Sequence, residues 1–221
     1  MTTETQQKQP FNIKDCALIA IATGKRAQNL SELRSLVERI SRDSIYYHFW
    51  GGQLRAGFDA PEYHNDLATW AHHGLHDKIL AERLSLISPM DYATIDDLRS
   101  ELVEIIDERL DEIEFPSWSE RDRRFEFIRS QIVVFDTHRT LNDPGELADA
   151  LPKLSLSSIF YHFIDARRRN EESIDDFHSW IRAWDGEHEE LRRKLAQVDP
   201  YFSTLSELRG ELARIAETVR R

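Results

Sequence analysis

The sequence predicts an all-α protein built from two tandem, pseudo-symmetric helical repeats. Three observations lead to this fold class: the 221 residues include only 8 Gly and 7 Pro, apolar residues recur at helical spacing, and the chain resembles itself. A shift of 114 places residues 11–49 on residues 125–163 without a gap. Within this overlay, residues 44–49 recur as residues 158–163 with five identities in six.

A second overlay, with a shift of 110, extends the similarity toward the C-terminus. It places Asp66 and Trp70 on Asp176 and Trp180, and residues 94–102 on residues 204–212. Because the matching blocks keep their order, we interpret the chain as a tandem duplication. The predicted organisation is a flexible N-terminus (1–10), repeat one (11–113), a linker (114–124) and repeat two (125–221).

About six amphipathic helices are predicted in each repeat, beginning with the apolar run Ile13–Ile21. The run at residues 132–135 contains β-branched residues but overlays residues 18–21, where Ala20 favours a helix. We therefore predict helix for both segments. Further apolar runs predict helices around residues 66–73 and 79–87.

Capping signals mark where the other helices begin. The patterns Asn29-x-x-Glu32 and Asp143-x-x-Glu146 are typical of a capping box. Thr94 and Thr204, each followed three residues later by an acidic residue, predict the start of the last helix of each repeat, after Pro89 and Pro200 break the chain. Ser41 and Ser155 are predicted to cap the helix that carries the repeated block.

Composition restricts the class of function. The net charge of −11 disfavours binding to nucleic acid, because phosphate backbones repel an acidic surface. The longest apolar run is far shorter than the roughly 20 residues that cross a bilayer, and the N-terminus lacks an apolar leader. Cys16 has no partner for an intrachain disulfide. We therefore expect a cytoplasmic protein that does not enter a membrane.

Several sequence blocks resemble a prokaryotic family of domains of unknown function, DUF5752. They are residues 44–49 (Ser-Ile-Tyr-Tyr-His-Phe), residues 61–70 (Pro-Glu-Tyr-His-Asn-Asp-Leu-Ala-Thr-Trp) and residues 80–84 (Leu-Ala-Glu-Arg-Leu). The resemblance covers most of repeat one and, more weakly, repeat two. It implies no particular activity.

The repeated polar and aromatic residues are the candidate ligand- or partner-binding residues. In repeat one, His48 lies beside an apolar helical stripe, and Asp66 is the repeated carboxylate that can orient its ring. Such a pair is either a structural hydrogen bond or a unit for binding or proton transfer, and we favour the structural interpretation. The full candidate set is Tyr47, His48, Asp66, Trp70, Tyr161, His162, Asp176 and Trp180.

A metal site and a ribonuclease active site are two more specific alternatives to this interpretation. Repeat one is rich in histidine, but it lacks a His-Glu-x-x-His motif, and we predict no metal site and no cofactor. Arg42 and His48 match the Arg-polar-x-x-x-x-His signature of a helical ribonuclease superfamily, which would make them the catalytic residues. Repeat two has Leu156 in place of Arg42, so we keep this enzyme as an alternative only.

The leading hypothesis is a non-catalytic binding or scaffolding protein for another cytoplasmic protein. Its aromatic residues are predicted to form a surface or groove between the two repeats, with Trp118 and either Trp50 or Trp184 partly exposed. A protein that binds a small molecule or a sugar is a further alternative. The oligomeric state is not predicted.

Overall fold

Two long strands contradict the all-α prediction. The computed structural model describes residues 8–54, 62–115, 117–170, 172–184 and 186–220. Strands β1 (Phe11–Ala27) and β2 (Phe125–Leu141) form a two-stranded antiparallel sheet. The fold is therefore mixed, with helices and one sheet. The segments for which we predicted helix, Ile13–Ile21 and residues 132–135, lie inside these strands.

The physical reason for this error lies in the composition of the strands. Ile, Val, Thr and Phe dominate β2, and Phe125 and Phe127 are buried on either side of the exposed Glu126, which is the alternation of a strand. Each strand also finds a hydrogen-bonding partner more than 100 residues away, which local propensity cannot reveal. This pairing overrides the helix propensity of Ala20, which lies inside β1.

The helices mostly begin where the capping signals predicted. They are α1 (Leu30–Val37), α2 (Arg42–Trp50), α3 (Asp66–His73), α4 (Lys78–Ser85), α5 (Ile95–Glu112), α6 (Leu147–Ala150), α7 (Leu156–Ile159), α8 (Ala166–Arg169), α9 (Asp176–Arg182), α10 (Glu189–Leu195) and α11 (Leu205–Arg220). A π-helical segment, Phe160–Asp165, joins α7 to α8. Short 3₁₀ turns occupy Gly51–Leu54, Pro89–Asp91, Pro144–Glu146 and Leu151–Lys153.

Individual caps confirm most of the predicted helix starts. Thr94 and Asp97 form a complete capping box at α5, and Thr204 and Glu207 exchange the equivalent hydrogen bonds at α11. Ser155 accepts the N–H of Ser158 at α7. The prediction for the side chain of Ser41 is wrong: α2 begins at the next residue, but Ser41 makes no capping hydrogen bond.

Two compact units make up the described chain. The first unit is Leu18–Ile132, and the second combines residues 8–17 with residues 133–220. Each unit thus contains parts of both strands. The predicted repeat boundaries at 11–113 and 125–221 stay a prediction, and most of the predicted flexible N-terminus lies outside the described residues. Among its described residues, Lys8 forms an ion pair with Glu187 at 2.7 Å.

Helix packing builds the core of each unit. In the first unit, α3 packs against α4, and α5 packs against α1, α2 and α4, burying Leu33, Leu80 and Leu102. In the second unit, α11 packs against α6, α7 and α10, burying Leu147 and Leu212. No helix in the described part of the chain is both long enough and apolar enough to cross a membrane.

Candidate functional site

His48 and Asp66 form the predicted hydrogen bond in the first unit. Nδ1 of His48 lies 2.9 Å from Oδ2 of Asp66. The other ring nitrogen, Nε2, accepts the backbone N–H of Ile128 in β2 at 3.1 Å. Because Nε2 accepts a hydrogen bond, it bears no proton, and the proton of the ring resides on Nδ1, which donates a hydrogen bond to the carboxylate. Both nitrogens are thus occupied.

Ser44 completes this contact between α2 and the strand. Its hydroxyl donates to the carbonyl oxygen of Ile128 at 2.7 Å. Ser44 and His48 lie four residues apart and therefore share one face of the helix. Together they satisfy the N–H and C=O of a single residue on the outer edge of β2, groups that would otherwise lack partners on a two-stranded sheet.

The second unit repeats the same contacts with a different strand. Nδ1 of His162 lies 2.7 Å from Oδ2 of Asp176, and Nε2 accepts the N–H of Lys14 in β1 at 2.8 Å. Lys14 and Ile128 are 114 residues apart, as are His48 and His162. Both predicted histidine–aspartate pairs are therefore confirmed as hydrogen bonds, while their role in binding stays a prediction.

The repeated tryptophans also bind backbone atoms. Trp70 Nε1 donates to the carbonyl oxygen of Arg123 at 2.7 Å, and Trp180 Nε1 donates to that of Gln9 at 2.7 Å. Both indoles are largely buried, and Phe125 lies 5.6 Å from Trp70 between ring centroids. The two tryptophans thus hold the segments that lead into the two strands.

Both tyrosines of the candidate set pack against the repeated histidine that follows them in the chain. Tyr47 is buried and packs edge-on against His48, with ring centroids 5.3 Å apart. Tyr161 is half-buried beneath the Arg169 guanidinium, 4.0 Å from the ring centroid, and desolvation raises the pKa of its hydroxyl. Like Tyr47, Tyr161 packs edge-on against the adjacent histidine, with 5.0 Å between the ring centroids of Tyr161 and His162.

A groove of about 470 Å³ lies beside His48 and Asp66 in the first unit. Its wall includes aromatic Tyr47, Trp70 and Phe125, and its polar residues include Arg123 and Glu126. Thr69 and His73 line it from exposed positions of α3.

Gly74 helps to shape this groove. A Cβ at Gly74 would lie 2.5 Å from Cδ1 of Trp70, so the ring passes directly over the glycine. At the matching position of the second unit, Trp184 packs edge-on against Trp180 at 6.3 Å between centroids. The indole of Trp184 therefore occupies, in the second unit, the position that Gly74 leaves without a side chain in the first.

Arg169 binds the candidate aspartate of the second unit. Its guanidinium contacts Asp176 and Asp165 at 3.0 Å each and donates to the carbonyl oxygen of Tyr161 at 2.9 Å. A polar cleft of about 410 Å³ adjoins Asp176, but its charged residues already form ion pairs, Arg169 with Asp176 and Glu172 with Arg182. The residue that matches Arg169 in the first repeat lies outside the described residues.

Comparison with known proteins identifies the family. The model of a family of unknown function, DUF5752, matches residues 8–217. The chain belongs to this family. The resemblance inferred from the sequence blocks is thereby confirmed.

One solved structure extends this relationship to the fold. The structure of OrfY from Thermoproteus tenax is similar over 96% of this chain and 96% of its own, with a TM-score of 0.80 and 27% sequence identity. None of the curated proteins matches the chain. The comparisons thus establish the family and its fold. They name no chemistry for the site, which is therefore argued from its geometry.

Arg42 and His48, the alternative catalytic pair, have separate partners. Arg42 lies at the start of α2, is mostly exposed and forms an ion pair with Asp96. His48 is buried six residues later, about 9 Å along the helix axis. The geometry therefore offers no shared position at which both side chains meet a phosphate group.

Sequence reasoning missed the strand atoms that complete the site. Ile128 and Lys14 contribute only backbone groups, so their side chains carry no signal for this role. The alternation of Phe125 and Phe127 around Glu126 could have revealed β2. The expected exposure of Trp50 or Trp184 is also wrong, because both are buried, whereas Trp118 is 66% exposed as predicted.

Proposed function

We propose that the protein is a non-catalytic binding protein and that the groove of the first unit holds its ligand. The observation that carries this proposal is the engagement of both His48 nitrogens, by Asp66 and by the N–H of Ile128. A general base needs a free lone pair, and this imidazole has none to offer. The groove beside it, at about 470 Å³, has the volume of a small-molecule site.

The only thiol of the chain supports the non-catalytic assignment. Cys16 is buried, and its burial raises the pKa of the thiol to about 12. A thiol in that state is not a nucleophile near neutral pH. A lone reduced cysteine also suits the cytoplasmic location that forms part of this proposal.

The lining of the groove suits a small polyhydroxylated molecule such as a sugar. Trp70, Tyr47 and Phe125 supply apolar ring atoms, while Asp66 and Arg123 supply hydrogen-bonding groups around them. An aromatic wall with a few placed polar groups fits a ligand that has both C–H faces and hydroxyl groups. The proposal includes no cofactor and no nucleic acid, in keeping with the net charge of −11.

Saturation-transfer NMR with a panel of neutral mono- and disaccharides tests this proposal. Thr69→Trp places a bulky side chain in the groove from an exposed position, and Ser179→Trp is the matched control 110 residues on. We expect a saccharide signal that Thr69→Trp removes and Ser179→Trp preserves. The absence of a signal from every saccharide, or a signal insensitive to Thr69→Trp, would contradict a sugar ligand in the groove.

A protein partner is the second candidate, favoured by two exposed aromatic residues. Phe115 is 81% exposed and Trp118 is 66% exposed, in the same short segment of the first unit. Neighbouring exposed aromatic residues are typical of contact surfaces between proteins. Affinity capture with Phe115→Ser/Trp118→Ser and with Thr69→Trp separates the candidates. A captured protein lost only with the double variant would favour the surface over the groove.

A further inference from the structure

Glu62, His72 and His73 bring three metal-ligating groups together in the first unit. Oε1 of Glu62 lies 3.4 Å from Nδ1 of His72, and Oε2 lies 3.4 Å from Nε2 of His73. The potential ligand atoms of all three residues lie within 4.8 Å of one another. Sequence spacing did not reveal the cluster, because Glu62 precedes α3 and meets its last turn only in the folded chain.

These separations suit a shared ion better than direct hydrogen bonds. Charge-assisted N–H···O bonds are about 2.7–2.9 Å long. Two ligand atoms bound to one zinc ion at about 2.0–2.1 Å, at a tetrahedral angle, lie about 3.4 Å apart. Each of the two distances, one from Oε1 and the other from Oε2 of Glu62, is close to this second value.

The second unit provides an internal comparison. A shift of 110 places Glu62 on Glu172, His72 on Arg182 and His73 on Ala183. Glu172 forms an ion pair with Arg182, which also lowers the pKa of its carboxyl. A permanent side-chain cation therefore neutralises this carboxylate in the second unit. In the first unit two imidazoles stand near it, and imidazole is a ligand for a metal cation.

From this geometry we propose that Glu62, His72 and His73 bind a divalent transition-metal ion of the zinc class. Two imidazoles and one carboxylate are a ligand set for such ions, and the C-terminal end of α3 favours a positive charge. Glu62 and His73 are well exposed, so an ion can enter from solvent.

Binding requires a small rearrangement of the histidine rings. The two imidazoles stack at 4.6 Å with an angle of 10° between their planes, and the hydroxyl of Tyr63 lies 2.8 Å from Nδ1 of His72. Lone pairs lie in the plane of an imidazole, so stacked rings do not converge on one ion. One ring turns about its Cβ–Cγ bond, and the Tyr63 contact is released, when the ion binds.

Calorimetric titration of the untagged, chelator-treated chain with Zn²⁺ tests this proposal. We expect one ion per chain, and at least a tenfold loss of affinity in Glu62→Gln and in His72→Arg. The second variant recreates the Glu172–Arg182 pair of the second unit, so circular dichroism is expected to show an intact fold. His178→Ala, in the second unit, is the control and is expected to bind as the unaltered chain does.

Spectroscopy with Co²⁺ supplies a second readout. A three-ligand site with bound water is expected to give visible d–d bands that both ligand variants lose. No binding of Zn²⁺ by the folded chain, or binding that Glu62→Gln and His72→Arg leave unchanged, would overturn the proposal.

Discussion

The imidazole Nε2 of His48 accepts the backbone N–H of Ile128 at 3.1 Å. Strand β2 has β1 on one side only, so its outer edge needs partners for its backbone groups. His48 provides one partner, and Asp66 fixes the ring in the tautomer that this role requires. A histidine–aspartate pair of a kind also used in proton transfer therefore holds a strand against a helix.

Replacing His48 with Ala is predicted to lower the free energy of unfolding by about 1–3 kcal/mol, because the N–H of Ile128 loses its acceptor. His162→Ala is expected to lower the free energy of unfolding by a similar amount, because the N–H of Lys14 loses its acceptor. Urea denaturation followed by circular dichroism measures both. His73→Ala, at an exposed position, is the control and is expected to change stability by less than about 0.5 kcal/mol. Equal stability of His48→Ala and the unaltered chain would rule out the structural role.

Ser44→Ala is predicted to destabilise the chain by about 1–3 kcal/mol, because the carbonyl oxygen of Ile128 loses the hydroxyl that donates to it. Ser100→Ala is the matched control. Its hydroxyl also donates to a backbone carbonyl, that of Asp96, but from an exposed position of α5. The same denaturation experiment compares the two. A loss no larger for Ser44→Ala than for Ser100→Ala would show that the strand edge does not depend on Ser44.

Local signals in the sequence predicted the helices and the histidine–aspartate pairs. A cap such as Thr94 acts on backbone groups within three residues, so its pattern can be read directly. His48 and Asp66 could be paired because both recur in the second half of the chain. The strands were missed because β1 and β2 depend on each other across a long separation. The groove was predicted between the repeats, and a groove inside the first unit was not, because it depends on Gly74 facing Trp70.

Asp175 is predicted to make stability fall as pH rises from about 4 to above 6. Its carboxylate is 2% exposed, and desolvation raises its pKa to about 6, while the attraction to Arg167 at 3.8 Å offsets part of this effect. A raised pKa means that the folded state binds the proton more tightly than the unfolded state. Stability is therefore greatest below the unfolded pKa and declines until the pH exceeds the folded one.

Asp175→Asn is expected to remove this dependence on pH, while the loss of the carboxylate that faces the buried guanidinium of Arg167 opposes any gain in stability at pH 8. The first unit already has an amide here: Asn65 caps α3 and donates through Nδ2 to the carbonyl oxygen of Leu84 at 2.9 Å. Asn65→Asp, the reciprocal change, is expected to introduce a similar loss of stability with rising pH. If the free energy of unfolding depends on pH in the same way in Asp175→Asn and in the unaltered chain, Asp175 is not the group that causes the dependence.

His138→Gly is predicted to raise the free energy of unfolding by about 0.5–1 kcal/mol. His138 has a φ of 56°, in the left-handed region that penalises a Cβ, and Gly24 adopts a φ of 75° at the matching position of β1. Thermal denaturation measures the gain. Gly24→Ala is the opposite change and is expected to lower stability by about 1 kcal/mol. A gain in Gly24→Ala would contradict the strain argument.

Arg42→Ala is predicted to leave stability within about 0.5 kcal/mol, because its ion pair with Asp96 is exposed to solvent. Neither this variant nor the unaltered chain is expected to cleave RNA, since Arg42 and His48 face different partners. Incubation with a fluorogenic RNA substrate checks this expectation. Cleavage that depends on both residues would restore the ribonuclease alternative.

The protonation of His48 decides most directly between a structural and a catalytic imidazole. Nitrogen-15 NMR of the folded chain at pH 8 reports which ring nitrogen bears the proton, and a coupling across the hydrogen bond identifies the partner of the other. We predict a proton on Nδ1 and a coupling between Nε2 and the backbone nitrogen of Ile128. A proton on Nε2, with no coupling to Ile128, would show a free and differently oriented ring and would contradict the non-catalytic assignment.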